Sequence, residues 1–484
     1  MMEIKFGTSG WRAIIGDGFT FDNVRLVTTA IAQYIKSLQR TRGTHTKRGS
    51  DARRPTVVVG YDTRFMSEDF ALECAKVLAE NGIQPLLTKE DVPTPVIAYE
   101  IIRRKADGGI NFTASHNPCE YNGIKFSPSY GGPAFPEITD KIEKNIRTCL
   151  QQNLIRKIKP QSTQRTKKDI SIRYINPEDT YIKRIKELVS LKALRRLKIV
   201  ADPLYGTGRH YLEKILQISD CKFQILHNWR DVIFGGGRPE PDEETLRELI
   251  AKVKSTRANI GISTDGDADR FGIIDADGTY YNPNAVITLL LYHLYKTRGW
   301  KDIVVRTVAT THMIDALCKK YGLEVTETPV GFKYIAEVMQ KRDILIGGEE
   351  SGGLTIHGHI PEKDGILAGL LMAEMVATEK KTLGKIMNNL YKEVGLFLSS
   401  RVNLKLTAQM DKILKVNLSR SIREIAGLKV LKKITIDGTK LLLEDGSWIL
   451  FRFSGTEPVV RIYAEADNRK KLNVLINAGQ KMAQ

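Results

Sequence analysis

The alternation of short β-rich runs with amphipathic helical stretches restricts the fold of this 484-residue chain more than any other feature. "TVVVGYDTR" predicts a buried strand that runs into a polar loop, and "EDFALECAKVLAENGI" predicts a helix that ends at Gly82. The preceding segment "DNVRLVTTAIAQYIKSL" has a helical stripe formed by Val24, Val27, Ile31, Tyr34 and Leu38. This alternation is typical of α/β domains.

The strand-to-loop pattern recurs along the chain, which is too long for one ordinary domain. "KIVADPLYGTG" and "IVVRTVATT" each lead into a helical stretch and predict further α/β modules. From about Ser399 onward, strands and turns closed by a helix predict a smaller α+β unit. We therefore predict four domains, and the limits that we assign to them are 1–160, 161–270, 271–395 and 396–484.

The composition excludes several protein classes. No run of about 18 apolar residues occurs, so a membrane span is not expected. The polar N-terminal segment has no signal-peptide pattern, and the five scattered cysteines favour reduced thiols over disulfides or a zinc site. These features predict a cytoplasmic protein.

The charge is strongly positive. Lys and Arg number 74 against 56 Asp and Glu, which gives a net charge of +18 and favours anionic partners. Much of it lies in the stretches 40–55 and 156–168, which read as exposed connections. The alternative is that these stretches bind anions, and charge alone does not decide between exposed connections and anion-binding segments.

Three aspartates at alternate positions of "STDGDADR" form a candidate metal site. They follow the strand-like run "ANIGIS", and strand ends are where α/β proteins bind ligands. Oxygen ligands at this spacing can converge on Mg²⁺. The alternative is a solvated acidic turn, but Asp265, Asp267 and Asp269 would repel one another without a cation. The adjacent Arg270 either holds a phosphate or offsets the local charge.

The segment "GGEESGG" at 347–353 combines exposed backbone N–H groups with acceptor side chains. Its carboxylates, such as that of Glu349, and the hydroxyl of Ser351 can bind a polyol through hydrogen bonds. A helix-capping turn explains this motif equally well when it is considered alone.

The segment "RFSGTEP" at 452–458 brings a guanidinium, two hydroxyls and a glycine into one tight turn. Arg452, with Arg461 nearby, can hold a phosphate while Ser454 and Thr456 donate and Gly455 allows the backbone to approach. A structural turn beside an incidental arginine is the alternative.

In "NFTASHNP", Ser115 and His116 follow a strand-like run, so the serine is either a nucleophile or a turn residue. The GxSxG elbow of lipases is absent. With a cation and phosphate-binding groups nearby, phosphoryl chemistry on the serine fits better than acyl chemistry. Lys125 in "YNGIKF" could neutralise the transferring group or handle a proton.

The four motifs occur in the order "TASHNP", "DGDADR", "GEESGG" and "RFSGTEP", and this set resembles the active-site loops of the α-D-phosphohexomutase superfamily. The resemblance covers nearly the whole chain and includes "FGTSGWRA", "FGGGRPEP" and "TPVGFKY". It implies an α/β fold with the four-domain phosphohexomutase architecture, in which three similar mixed α/β domains and a smaller C-terminal α+β domain surround a central cleft. The domains would supply the phosphoserine, metal, sugar-binding and phosphate-binding loops in that order.

The resemblance also implies roles for the motif residues. Ser115 is the residue that is phosphorylated in the active enzyme, with Arg12, His116 and Lys125 as catalytic partners. The three aspartates bind Mg²⁺ together with an oxygen of the phosphoserine. The expected substrate-binding residues are Arg270, Lys333, Glu349, Ser351, Arg452, Ser454, Gly455, Thr456 and Arg461.

The implied reaction converts a hexose 1-phosphate reversibly to the 6-phosphate. The phosphoserine gives its phosphoryl group to the free hydroxyl, and the resulting hexose 1,6-bisphosphate, also the expected activator, returns its other phosphate to Ser115. The last domain would close by a hinge motion. Small hexose phosphates are the expected partners, with no nucleic acid or membrane, and the protein is expected to be a monomer or homodimer.

"GEESGG" with Glu350 resembles the glucose and mannose members, and phosphoglucosamine mutase is the alternative. Two remote alternatives are a Mg²⁺-dependent sugar phosphatase with an aspartate nucleophile and a nucleic-acid-binding protein. The phosphatase would leave "TASHNP" and "GEESGG" without functions, and no nucleic-acid-binding motif supports the second.

Overall fold

The computed structural model of the protein describes residues 4–7, 10–42, 53–152, 171–454 and 458–483. The chain divides into two compact units. The first unit is Met1–Asn282 with Gly352–Thr382, and the second is Pro283–Ser351 with Leu383–Gln484. Most of the two basic stretches falls outside the described residues, and so do the phosphate-loop candidates Gly455 and Thr456.

The N-terminal part of the first unit contains a six-stranded mixed sheet in the order β1-β5-β4-β2-β3-β6. Its strands are β1 (Trp11–Ile14), β2 (Thr56–Tyr61), β3 (Gln84–Thr88), β4 (Gly108–Phe112), β5 (Tyr121–Pro128) and β6 (Arg173–Ile175). Strands β4, β2, β3 and β6 run parallel, whereas β5 is antiparallel to β4 and to β1. The carboxyl ends of β2 and β4 therefore meet at one edge of this sheet.

In the described part of this segment, helices accompany the sheet at Phe21–Arg42, Ser67–Glu80, Thr94–Arg104 and Pro136–Gln151. The stripe predicted for the first helix is confirmed, because four of its five members are buried and Leu38 packs against the same core. The second helix ends one residue before Asn81, and Gly82 adopts a φ of 79°. A positive φ of this kind is a common way to end a helix at glycine.

A second mixed sheet of the first unit has the order β11-β10-β9-β7-β8. Its strands are β7 (Lys198–Asp202), β8 (Lys222–Ile225), β9 (Ile260–Thr264), β10 (Phe271–Asp275) and β11 (Tyr280–Tyr281). Helices lie at Glu178–Leu188, Gly208–Ile218 and Arg247–Thr256, with short 3₁₀ helices at Leu191–Arg196 and Phe234–Gly236. Strand β10 pairs antiparallel with β9, so the domain limit suggested after Arg270 falls inside this hairpin.

The segment after residue 352 adds strand β15 (Gly353–Ile356) and the helix Gly365–Glu379 to the first unit. That helix packs against β9 and β10 and is buried on all sides, since residues 365–376 are all buried. The side chain of Asp364 caps its first turn by accepting a hydrogen bond from Leu367 N. An alanine Cβ at Gly365 would lie 2.1 Å from the carbonyl oxygen of Arg270.

The second unit begins with a parallel arrangement in which β12 (Ile303–Thr307) lies between β13 (Val325–Thr328) and β14 (Ile344–Glu349). Its helices are Pro283–Arg298, Met313–Tyr321, Phe332–Met339, Leu383–Val394, Ala408–Ser419 and Arg469–Lys481. None of the helices in the described parts of the chain is long and apolar enough to span a bilayer.

The C-terminal part of this unit is an antiparallel sheet in the order β16-β21-β20-β19-β18-β17. The strands are β16 (Leu398–Lys405), β17 (Glu424–Ile425), β18 (Leu428–Ile434), β19 (Thr439–Leu443), β20 (Trp448–Phe453) and β21 (Val459–Ala466). One cluster of buried apolar residues joins the segment after β12 to this sheet. It contains Val308, Ala309, Trp448, Leu450 and Tyr463.

A buried lysine adds polar contacts beside that apolar cluster. The ammonium of Lys440 donates to the carbonyl oxygen of Val308 at 2.8 Å, lies 2.8 Å from His312 Nε2 and 3.2 Å from Glu327 Oε2. It also lies 4.3 Å from the centroid of the Trp448 ring. Burial, followed by the nearby charge of an arginine, lowers the pKa of Lys440 to about 8 from an ordinary value of 10.5.

This pKa predicts that stability increases with pH. Between about pH 8 and 10.5 the folded protein loses the Lys440 proton while the unfolded chain keeps it. The buried charge therefore lowers the free energy of unfolding below this range, and this destabilisation disappears as the pH rises through it. From about pH 7 to about pH 9.5 we expect the free energy of unfolding to rise by about 2 kcal/mol relative to Lys440→Met. Urea unfolding of both proteins across this range measures the difference, and a pH-independent difference would contradict the prediction.

Candidate active site

The candidate site of the first unit is built where strands of its two sheets end. The serine motif follows β4, and Lys125 lies on β5 directly opposite Asn111 of β4. The three aspartates occupy the turn between β9 and β10. Ligands of open α/β sheets bind in the crevice outside the carboxyl ends of the strands, so this is an expected position for such side chains.

Ser115 lies in a strained turn and faces the acidic motif. Its φ is 53°, which is uncommon for a residue with a Cβ. Its backbone N–H donates to Thr113 Oγ1 at 2.8 Å, and its hydroxyl donates to Asp265 Oδ2 at 2.8 Å. The side chain of His116 follows closely, with Nδ1 3.4 Å from Ser115 Oγ. The structure therefore brings the serine and the first aspartate of the acidic motif together.

The three aspartates are completely buried and converge. They offer carboxylate oxygens that all lie within 4.8 Å of one another. Asp265 Oδ1 accepts a hydrogen bond from Arg270 N at 3.0 Å, and Asp267 Oδ2 accepts one from Thr94 Oγ1 at 2.5 Å. Thr94 N also donates to the carbonyl oxygen of Asp267, so the first residue of the helix Thr94–Arg104 supports the acidic turn.

Two lysines balance part of this negative charge. Lys125 Nζ lies 2.5 Å from Asp267 Oδ2 and 2.9 Å from Asp269 Oδ2, and Lys363 Nζ lies 2.9 Å from Asp269 Oδ2. Lys363 passes close to the backbone of Gly353, where an alanine Cβ would lie 2.1 Å from its Cδ. Glycine at position 353 therefore leaves room for the lysine to reach the acidic turn.

The aspartates retain oxygens that suit a cation. Asp267 Oδ1 and Asp269 Oδ1 are buried and have no hydrogen-bond partner among the residues that the structure describes. A buried carboxylate oxygen without a partner is costly, and a divalent cation satisfies such oxygens. Three converging carboxylates are also the hard oxygen donors that Mg²⁺ prefers. The residues present therefore fit this metal.

The electrostatics of the aspartates differ from one to the next. Burial, together with the charges of Asp269 and Asp267, raises the pKa of Asp265 well above its ordinary value. Burial also works against the ionisation of Asp269, but Lys125 and Lys363 lower its pKa. The same competition, with Lys125 and Thr94 as the stabilising partners, lowers the pKa of Asp267. Two of the three carboxylates are thus stabilised in the charged form, which a cation requires.

The remaining basic residues of this site lie around the serine motif. Arg12 Nη1 donates to Asn117 Oδ1 at 2.7 Å, and burial lowers the pKa of its guanidinium. Burial also lowers the pKa of His116, with Arg270 and Arg12 acting in the same direction, so the imidazole is neutral at pH 7. Arg270 Nη1 lies 3.4 Å from Glu240 Oε1 of the "FGGGRPEP" motif.

The sugar-binding candidates lie in the second unit, where Glu349 ends β14, Ser351 follows it, and Lys333 belongs to the helix Phe332–Met339. Ser351 Oγ donates to Glu349 Oε1 at 2.6 Å, so these two candidates are in contact. The neighbouring Glu350 accepts a hydrogen bond from the hydroxyl of Tyr463 at 3.2 Å. Burial, together with Glu349, raises the pKa of Glu350. The ammonium of the candidate Lys333 lies 5.1 Å from the ring centroid of Tyr334.

The phosphate-binding candidates lie on the hairpin of β20 and β21. Arg452 and Arg461 are cross-strand partners, so their side chains project from the same face of the sheet. Arg452 Nε donates to Asp437 Oδ2 at 2.8 Å, and Ser454 N donates to the carbonyl oxygen of Val459 at 2.8 Å. The two arginines therefore share one face of the sheet near the end of β20.

Sequence interpretation missed Lys363, Glu362 and Thr94. Glu362 and Lys363 immediately precede the buried helix Gly365–Glu379, and burial raises the pKa of Glu362 to about 7. The signal for Lys363 was the segment "PEKDG", in which a lysine precedes a helix-capping aspartate and a largely apolar helix. Thr94 carried no signal, because it resembles an ordinary first-turn residue of a helix.

Comparisons with known proteins agree with the motifs. Residues 3–153, 179–278 and 282–394 match the families described as phosphoglucomutase/phosphomannomutase alpha/beta/alpha domains I, II and III. Residues 400–477 match the C-terminal domain of the same enzymes. Three α/β/α domains followed by a C-terminal domain define the α-D-phosphohexomutase architecture that the resemblance implied.

Relatives of similar length cover the whole chain. A phosphoglucomutase/phosphomannomutase of Thermococcus kodakarensis is 30% identical over 479 residues, which are 99% of this chain and 98% of the relative. A probable phosphoglucosamine mutase of Methanosphaera stadtmanae is 32% identical over 97% of this chain and 95% of its own length. The crystal structure of a putative phosphomannomutase from Thermus thermophilus has a TM-score of 0.83 and 31% identity, with 99% of each chain covered. The chain belongs to the phosphoglucomutase/phosphomannomutase family, whose members are sugar-phosphate mutases.

Proposed function

We propose that this protein converts hexose 1-phosphates reversibly to hexose 6-phosphates through a phosphoserine at Ser115 and a hexose 1,6-bisphosphate intermediate. Glucose 1-phosphate, mannose 1-phosphate or both are the proposed substrates. The observation that carries the proposal is the contact between Ser115 Oγ and Asp265 Oδ2 at 2.8 Å, beside three converging buried carboxylates. A serine hydroxyl in such a setting suits phosphoryl transfer, because a charged transferring group can be stabilised there.

In the proposed reaction, the bond between Ser115 Oγ and phosphorus breaks while phosphorus bonds to the free hydroxyl oxygen of the sugar. The attacking sugar hydroxyl loses its proton as the displaced serine oxygen gains one. Transfer of the other phosphate of the bisphosphate from its sugar oxygen to Ser115 Oγ then regenerates the phosphoserine, and that sugar oxygen takes up the proton. The imidazole of His116 is neutral, and its Nδ1 lies 3.4 Å from Ser115 Oγ. It is therefore placed to exchange a proton with the serine oxygen. Arg12 contacts the serine motif through Asn117 and supplies positive charge for the anionic group.

Asp265, Asp267 and Asp269 would hold Mg²⁺, with a phosphoserine oxygen as a further ligand. A bound Mg²⁺ would neutralise charge that develops on the transferring phosphoryl group. Lys125 contacts two of these carboxylates, so we propose that it orients the acidic turn and contributes positive charge to the site. Arg270 is proposed to bind a substrate phosphate from the end of that turn.

In the second unit, Glu349 and Ser351 are proposed to bind sugar hydroxyls, and Lys333 is proposed to contact the sugar or its phosphate. Arg452 and Arg461, which are cross-strand partners, are proposed to hold the phosphate that is not reacting, together with Ser454, Gly455 and Thr456. Paired guanidinium groups bind phosphate through charge-assisted hydrogen bonds. We further propose that the enzyme is cytoplasmic and acts as a monomer or homodimer on small hexose phosphates.

Phosphoglucosamine mutase is the second candidate function, and the names of relatives support it. The relative from Methanosphaera stadtmanae is described as a probable phosphoglucosamine mutase, and one from Sulfurisphaera tokodaii as a phosphoglucosamine/phosphogalactosamine mutase, at 28% identity. An amino group at the sugar C2 position would be protonated at neutral pH. The acidic pair Glu349 and Glu350 could accommodate such a cation as well as hydroxyl groups.

A coupled mutase assay tests these proposals. It uses Mg²⁺, a trace of glucose 1,6-bisphosphate and the 1-phosphates of glucose, mannose and glucosamine in parallel. We expect turnover with glucose or mannose 1-phosphate, with a kcat/KM at least about 10-fold above that for glucosamine 1-phosphate, since one well-placed polar contact is worth about that factor. The reverse ratio would favour the second candidate.

The same assay addresses the phosphatase alternative. Release of inorganic phosphate without a 6-phosphate product, and a phosphate group located by mass spectrometry on an aspartate, would replace the mutase proposal. Absence of turnover for all three sugars, with Ser115 phosphorylated beforehand, would also reject it.

A further inference from the structure

A buried arginine of the first unit contacts the loop that carries Ser115 at several backbone positions. Arg64 follows strand β2, whose carboxyl end lies beside that of β4, and Asp62 N donates to the carbonyl oxygen of Phe112 at 2.9 Å. The Arg64 side chain is fully buried. Two adjacent parallel strands therefore bring this arginine next to the loop that carries Ser115.

The guanidinium of Arg64 donates to four backbone carbonyl oxygens of that loop. Nη2 donates to the carbonyls of Ser115 and Asn117 at 2.7 and 2.6 Å, and Nη1 to those of Pro118 and Tyr121 at 2.6 and 3.0 Å. Nε pairs with Asp62 Oδ2 at 3.1 Å, so every donor of the guanidinium is used.

The surroundings of Arg64 fix its own position. Asp62 Oδ1 accepts hydrogen bonds from Arg64 N at 3.0 Å and from Ser67 Oγ at 2.9 Å. The guanidinium also stacks on the ring of Phe234, 4.9 Å from its centroid. Asp62 of the N-terminal part and Phe234 of the second sheet-containing part therefore hold the guanidinium independently of its contacts with the loop.

The conformation of Ser115 requires such support. A serine with a φ of 53° is strained, and strained residues persist only where surrounding contacts determine their conformation. Arg64 binds the carbonyl of this residue directly, while the side-chain oxygen faces Asp265. Holding the backbone therefore also fixes the direction of the hydroxyl.

We propose that Arg64 is a positioning residue that holds the Ser115 loop in its reactive conformation before substrate binds. The inference rests on the proposed phosphoserine mechanism. It predicts that loss of the fork-shaped guanidinium lowers the rate of phosphoryl transfer more than substrate affinity, because a displacement of about 1 Å can cost about 10²-fold in rate. Lysine retains the charge but offers three donors on one nitrogen and cannot reach four carbonyls in two pairs.

The test compares Arg64→Lys with wild type and with Arg306→Lys. Arg306 is a matched control because it is also buried, pairs with Asp315 and Glu327, and has no contact with the serine motif among the described residues. Two measurements are made on each folded protein. One is hydrogen–deuterium exchange of the peptide 113–121, and the other is kcat and KM for the preferred hexose 1-phosphate.

For Arg64→Lys we expect faster exchange in 113–121, a kcat lowered by about 10- to 100-fold and a KM within about 3-fold of wild type. Arg306→Lys should leave both readouts near wild type after correction for the folded fraction. Unchanged exchange in 113–121, or a raised KM with an unchanged kcat, would overturn the proposal.

If Arg64→Lys does not fold, Asp62→Asn provides the second variant. It keeps the shape of the side chain but removes the charge that holds Nε, so the same pattern is expected with a smaller loss of kcat. The exchange measurement does not depend on mutase activity. A wild-type protein without turnover would therefore reject the mutase function, whereas unchanged exchange in an active variant would reject only the role of Arg64.

Discussion

Replacement of Ser115 by alanine is expected to lower kcat of the mutase reaction by about 10⁴-fold or more while the protein remains folded. The substitution removes the oxygen that is proposed to carry the phosphoryl group. It also removes one hydrogen bond, from Ser115 Oγ to Asp265 Oδ2 at 2.8 Å, which contributes only about 1 kcal/mol to stability. A catalytic loss of this size with a small stability change separates a covalent role from a structural one.

The measurement combines the coupled assay with intact-protein mass spectrometry after incubation with glucose 1,6-bisphosphate. Ser219→Ala is the matched control, because Ser219 is a buried serine of the same unit whose hydroxyl donates to the carbonyl of Leu216 at 2.7 Å. Wild type and this control should gain one phosphate, and Ser115→Ala should gain none. Turnover within about 10-fold of wild type in Ser115→Ala would show that another residue carries the phosphate.

The sequence predicted best those structural features that are formed by residues close together in the chain. The spacing of Asp265, Asp267 and Asp269 predicted their convergence, because three carboxylates within five consecutive residues of one turn lie close together. The apolar stripe of the helix Phe21–Arg42 was also predictable from its period, and its members are buried as expected. Local spacing determines these arrangements, so no long-range contact had to be known.

Features that depend on pairing between distant strands were not predictable in the same way. The contact of Lys125 with Asp267 joins positions 142 residues apart, and it depends on how β5 is paired with β4 and where β9 ends. Lys363 reaches Asp269 only because position 353 has no side chain. A single sequence contains these residues but not the registers that bring them together.

The burial of Arg64 could not be predicted from the sequence either. In "YDTR" it resembles an exposed residue at the end of a strand, since arginine is rarely buried without partners. Its burial is accompanied by four carbonyl acceptors in 115–121, and the sequence does not reveal that these carbonyls converge on one buried guanidinium. The conformation of Ser115 creates this set of acceptors, and that conformation could not be inferred from residue type.

Substitution of Asp267 by asparagine is expected to weaken Mg²⁺ binding by at least about 100-fold and to lower kcat by a similar factor. Asparagine keeps the shape of the side chain but removes the negative charge of one of the two carboxylates that are stabilised in the charged form. It also replaces one of the two carboxylate oxygens with a donor, either at Oδ1, which has no partner among the described residues, or at Oδ2 beside Lys125. A cation would therefore lose a charged ligand, and Lys125 would retain an ionic contact only with Asp269.

Thermal unfolding with and without Mg²⁺ measures the affinity independently of activity, because a ligand that binds the folded state raises Tm as its concentration exceeds Kd. Wild type should show a Mg²⁺-dependent increase in Tm that Asp267→Asn lacks at the same concentration. Asp275→Asn is the matched control, since Asp275 is a buried aspartate at the far end of β10 whose carboxylate accepts a hydrogen bond from Ala276 N. It should respond to Mg²⁺ as wild type does. An equal Mg²⁺ response in Asp267→Asn and wild type would show that the acidic turn does not hold the metal, and the buried oxygens of Asp267 and Asp269 would then require another partner.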